Sequence, residues 1–151
     1  MKHRVTIDIQ EIIDKAEAQS ANDFRAMRVQ NGKVADEVFD DFVFIADNRE
    51  LVLSQIDFAA KVIRTKLYAY LGKFESTPEA IYMEIAVPEC RVDESLEAVI
   101  TDFLTATLLN WWYTLRNSDL SALYAQRAVD DIDEAVHLIT PKFTTRRCRL
   151  F

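Results

Sequence analysis

Glu134 and His137 stand three residues apart in a stretch of helical spacing, so one helix face could present a carboxylate and an imidazole to a single metal ion. A di-iron carboxylate centre built this way needs a second such pair and two further glutamates. The only other histidine, His3, precedes any matching helix, so the expectation is an ion pair and no resident metal. Acidic groups gather at Asp36, Glu37, Asp40 and Asp41, and again at Asp130, Asp131, Asp133 and Glu134. Neither run contains the glycine that a calcium loop needs at its sharp turn, which leaves solvated faces or docking ground for cations. Cys90 and Cys148 form no C-x-x-C pair and have no histidine near them in sequence, so nucleophilic catalysis and a zinc site lack support. Gly32 and Gly72 stand alone, and neither a P-loop nor a dinucleotide fingerprint can be written around them. The expected protein is no enzyme and holds no cofactor.

Two other groups of side chains suit binding better than catalysis. Trp111, Trp112 and Tyr113 are consecutive, and on a helix they point about 100° apart, so one narrow stripe cannot bury all three. Trp112 or Tyr113 is then expected on a flank, as an aromatic anchor between subunits or beneath a small sheet. The last eleven residues, 141–151, carry Lys142, Arg146, Arg147 and Arg149 and no carboxylate, while residues 1–140 carry 14 basic against 25 acidic side chains. An acidic body with a basic arm suits head-to-tail pairing, the guanidinium forks of one copy meeting carboxylates such as Asp130, Asp131, Asp133 and Glu134 of the next. The overall charge of −7 disfavours nucleic acid as a partner.

The elements that would carry these groups can be read from apolar spacing. The 151 residues suit a single domain, 1–151, with 141–151 as a basic C-terminal arm. Val5, Ile7 and Ile9 alternate with polar residues, which predicts a short strand before a helix that closes at Asn31-Gly32. Val34 to Ala46 reads as a short helix turning into an extended segment. Asp47 and Glu50 have capping-box spacing ahead of a helix of about 23 residues ended by Gly72. Lys73 to Glu79 reads as a loop, and Ile81, Met83, Ile85 and Val87 alternate as a strand over 80–87. Asp93 opens a helix lined by Leu96, Val99, Ile100, Phe103, Leu104, Leu108, Trp111 and Leu115. After the Asn117-Ser118-Asp119 link, with Ser118 as cap, an antiparallel helix runs to Thr140-Pro141. The expected fold is mainly α: a bundle of three to four helices with a small antiparallel β element from the N-terminal strand, residues 80–87 and, as a further candidate, the C-terminal arm. The longest apolar run, Phe103 to Tyr113, spans eleven residues and includes two threonines and an asparagine, well short of a membrane span. A soluble protein made in the cytoplasm is expected.

The order of these segments resembles the small head-to-tail connector, or neck, proteins of tailed phages and prophages of Bacteroides-type bacteria. The resemblance runs over residues 36–149. It is carried by Val38-Phe39-Asp40-Asp41-Phe42 leading to Asp47-Asn48-Arg49-Glu50, the strand-like Ile81 to Val87, Leu109-Asn110-Trp111-Trp112-Tyr113, Leu120 to Tyr124-Ala125, and Arg146-Arg147. The chain departs from the pattern in a shorter, less basic tail and in Asn48, where a second acidic residue is typical. The resemblance implies a structural virion protein at the head–tail junction that forms a ring between portal and tail-completion proteins. The alternative expectation is a small acidic helical binding or regulatory module of the cytoplasm.

Overall fold

The computed structural model describes residues 2–31, 44, 47–86 and 95–140. Among them the chain runs β1 (Lys2–Asp8), α1 (Ile9–Asn31), α2 (Arg49–Lys66), a single 3-10 turn (Tyr68–Tyr70), β2 (Leu71–Ser76), β3 (Ala80–Ala86), α3 (Ser95–Tyr113) and α4 (Ser118–Ile139). The fold is mainly helical, with a small three-stranded antiparallel sheet in the order β1-β3-β2. The expected segments Val34 to Ala46 (Phe44 apart), the Asp93 cap and the arm 141–151 lie outside the described residues.

Alternation sets the sheet. Val5 and Ile7 of β1 stand opposite Met83 and Ile81 of β3, and all four are buried on the face turned to the helices. Arg4, Thr6 and Tyr82 occupy the other face and are exposed. Asp8 ends the strand and starts the helix, because its Oδ1 accepts from the Gln10 amide at 2.9 Å. Ile9 N then donates to Glu79 O at 3.0 Å, which ties the start of α1 to the β2–β3 turn. Thr77 closes that turn: its hydroxyl donates to Ala80 O at 2.9 Å and accepts from Ala80 N at 3.1 Å.

The helix ends differ from expectation in instructive ways. Asn48, not Asp47, caps α2, its Oδ1 accepting from Leu51 N at 3.2 Å. Likewise Asn117, not Ser118, caps α4 by accepting from Leu120 N at 3.1 Å. α2 is 18 residues long and stops at Lys66, and the following segment becomes β2 in place of a helix end and a loop. A bulge between Leu71 and Phe74 accommodates Gly72 and Lys73 against the regular β3.

α3 is the central element, with nine buried apolar side chains from Leu96 to Tyr113 spread around most of its circumference. Each of the valine, leucine, isoleucine and phenylalanine side chains among them, once fully buried, contributes about 1.5–3 kcal/mol. Its threonines bring no unsatisfied hydroxyl inside, since Thr101 and Thr105 donate to the carbonyls of Glu97 and Thr101 at 2.8 and 2.9 Å. Leu115, expected on the apolar stripe, falls in the turn after α3 and is 94% exposed, whereas Leu109 is buried. α4 returns antiparallel and lays Tyr124, Ala128, Ile132, Ala135 and Ile139 inward.

Candidate functional site

Three helices converge on one carboxylate. Asp23, on the inner side of α1 between Ser20 and Phe24, accepts at Oδ2 from the hydroxyls of Tyr124 on α4 and, at 3.4 Å, of Tyr113 at the end of α3. Its Oδ1 accepts from Gln19 Nε2 at 3.3 Å. The two phenol rings stack at 5.7 Å with 19° between their planes, and the Arg127 guanidinium lies 5.0 Å from the Tyr124 centroid. Burial raises both phenols well above their ordinary range. For Tyr113 the Asp23 charge and Tyr124 add to that effect. For Tyr124 the hydrogen bond to Asp23 and its charge add, while Gln19 and Arg127 oppose. Both hydroxyls therefore stay protonated and serve as donors that clamp α1 to the α3–α4 hairpin.

Beside this clamp opens a cleft of about 230 Å³, lined by Gln19, Asp102, Thr105, Ala106, Tyr124, Arg127 and Asp131. Asp131 is half-buried there. Burial, followed by the charges of Asp102, Glu134 and Asp130, pushes its carboxyl up to about 6 against the pull of Arg127. Asp130, Asp133 and Glu134 lie exposed beside it. None of these four carboxylates makes an ion pair within 4 Å among the described residues; Asp130 accepts instead from Gln126 Nε2 at 3.0 Å. The result is an acidic ridge along α4 whose charge the described part of the chain leaves largely uncompensated.

The aromatic run divides as the helix geometry requires. Tyr113, a candidate for the flank, is fully buried in the clamp and offers no surface to a partner, which corrects its placement as an interface residue. Trp111 and Trp112 are half-buried. Phe44 meets Trp112 edge-on at 5.2 Å, the Arg116 guanidinium lies 3.6 Å from the Trp112 ring centroid, and Arg116 Nη1 donates to Trp112 O at 2.9 Å. Phe44 is held in turn by its amide, which donates to the buried Ser20 Oγ at 2.9 Å.

Glu134 and His137 are both exposed, and no three metal-ligating side chains come together among the described residues. The cations Lys142, Arg146, Arg147 and Arg149 lie outside the described residues. Sequence reasoning missed Asp23, Gln19, Asp102 and Arg127. The available signal was a polar residue, Asp23, set at helical spacing from Ala16 and Ser20 on a face that otherwise reads as core.

The fold and these contacts define a class: a helical bundle on a three-stranded antiparallel sheet, with a buried tyrosine–aspartate clamp and an acidic outer helix. No helix among the described residues is long and apolar enough to cross a membrane. Comparison with protein-family models, curated proteins and solved structures finds no match for the chain.

Proposed function

We propose that this chain is a non-enzymatic assembly subunit, a head-to-tail connector that forms a ring between portal and tail. The observation that supports the reading best is the ridge of Asp130, Asp131, Asp133 and Glu134, which lacks ion-pair partners within the described chain. Asp131 is desolvated among like charges, and an arriving cation would relieve that repulsion. The same chain carries the complementary cations Lys142, Arg146, Arg147 and Arg149 beyond the end of α4. Opposite charges on separate parts of one subunit give a heterologous contact, and such a contact closes into a ring when the rotation allows. Trp112, half-buried beneath Arg116, supplies apolar area at the far end of the α3–α4 hairpin.

Light scattering at several salt concentrations, followed by particle imaging with and without a portal ring, tests the proposal. Rings or portal-bound subunits that dissociate as salt rises, and that fail to form when the four ridge carboxylates are made amides, are the expected result. A chain that ignores portal and tail components under every condition refutes it. A tight complex with one soluble host protein, without entry into particles, would instead mark an acidic binding module.

A further inference from the structure

We infer that the outer edge of β1 is a docking edge for β1 of a second copy, joining two three-stranded sheets into one across a two-fold axis at Thr6. The inference goes beyond the connector reading and stands without it, because a two-fold contact is isologous whereas a ring contact is not. β1 is an edge strand of the order β1-β3-β2, and among the described residues no backbone group pairs with its outer side. Edge strands are ordinarily guarded by bulges, proline or lysine. β2, the opposite edge, is guarded in this way by the bulge holding Gly72 and Lys73. β1 has neither bulge nor proline, and its one lysine, Lys2, stands at its first residue, four positions from the axis: its pairing with β3 runs in unshifted register from Lys2 to Asp8.

Self-pairing chemistry singles out the register. Antiparallel strands centred on Thr6 set Arg4 opposite Asp8 of the second copy, Asp8 opposite Arg4, and Thr6 opposite Thr6. All three positions are exposed on the open face of the sheet. On the inner face Val5 and Ile7 fall opposite each other across the axis, but both are already buried beneath their own helices, so the pairing draws on the backbone and the open face. Opposite charges and threonine pairs are both favourable directly across a sheet, and a slip by one residue would set the open face of one sheet beside the helix-covered face of the other. Arg4 has the capacity for this. Its side chain is 86% exposed, and its only ion pair among the described residues is a 3.7 Å contact from Nε to Glu84, which leaves the rest of the guanidinium fork for Asp8. Asp8 uses Oδ1 on the Gln10 amide and keeps its second oxygen.

Sedimentation of the full chain, up to about 1 mM at the weak end of specific association, gives the test. The expected species has twice the 17.4 kDa chain mass. Arg4→Glu sets like charges opposite Asp8 twice, and Asp8→Arg sets like charges opposite Arg4 twice, so each weakens self-association by roughly ten- to hundredfold. An equimolar mixture of these two variants regains the dimer, because every mixed pair is then Glu–Arg or Asp–Arg. Thr6→Lys, a change at an exposed position, places two ammonium groups on the axis and also separates the copies; circular dichroism verifies that each variant is folded. A full chain that stays monomeric overturns the inference, whether the edge is bare or covered by residues 141–151 of the same chain. So does a dimer that Thr6→Lys or Arg4→Glu leaves at its original affinity, or a variant mixture that stays monomeric.

Discussion

Replacing Tyr124 by phenylalanine keeps the ring stacked on Tyr113 and removes only the hydroxyl that donates to Asp23. A hydrogen bond to a charged partner contributes about 1.5–3 kcal/mol. Asp23 keeps Gln19 at 3.3 Å and Tyr113 at 3.4 Å, so the carboxylate is weakened in its contacts without being stranded. The expected loss is about 2 kcal/mol, or roughly 4–8 °C in Tm for a chain of this size. Tyr113→Phe removes the longer bond and should cost less, about 1 kcal/mol or under. Because both hydroxyls meet the same oxygen, the double variant should depart from the sum of the single losses. Urea unfolding followed by circular dichroism reads all three. A Tyr124→Phe loss below about 0.5 kcal/mol, or a Tyr113→Phe loss exceeding it, would refute the clamp.

The raised phenols of Tyr113 and Tyr124 carry a pH consequence: their contribution is complete below the ordinary tyrosine value near 10 and is lost as pH rises above it, so stability should fall less steeply above pH 10 in the double phenylalanine variant, measured as the slope of the urea midpoint against pH. Asp131 has the opposite character for a carboxyl. With its folded value raised to about 6, the native state holds the proton longer than the unfolded chain, and stability falls as pH rises from about 4 to 6. Asp131→Asn should therefore stabilise at pH 7 and not at pH 3.5; solvent screening of a half-buried carboxyl cuts the full difference of about 3 kcal/mol to about 1, readable as a shift in urea midpoint. Ser20→Ala leaves the buried Phe44 amide without its acceptor and should cost about 1–3 kcal/mol, with a change in tryptophan emission as Phe44 loosens against Trp112. Asn48→Ala removes the α2 cap and should cost about 1 kcal/mol by thermal melting.

How legible each part was depends on how local its cause is. β1 and β3 announce themselves because Val5, Ile7, Ile81, Met83 and Ile85 alternate over an unbroken register. β2 does not, because its bulge sets Leu71 and Phe74 three residues apart, a spacing that continues the helical sequence Ile63, Leu67, Tyr70. The caps slipped by one residue for a similar reason: Asp47 and Asn48, or Asn117 and Ser118, are chemically equivalent caps, and only the backbone path chooses between neighbours. Tyr113 looked like surface since three adjacent rings exceed one stripe. What draws it inward is Asp23, ninety positions earlier. No local period reveals a partner at that separation, whereas the acidic ridge of α4 needs only composition to be seen.

Both indoles of the chain, Trp111 and Trp112, sit at the C-terminal end of α3, Trp112 against Phe44 and Arg116 and Trp111 beside Trp112. Intrinsic fluorescence is therefore a local reporter in this protein. Loosening at the helix hairpin changes the emission directly, so an offset between fluorescence and far-ultraviolet unfolding curves would show this end of the bundle melting apart from the rest without any added label.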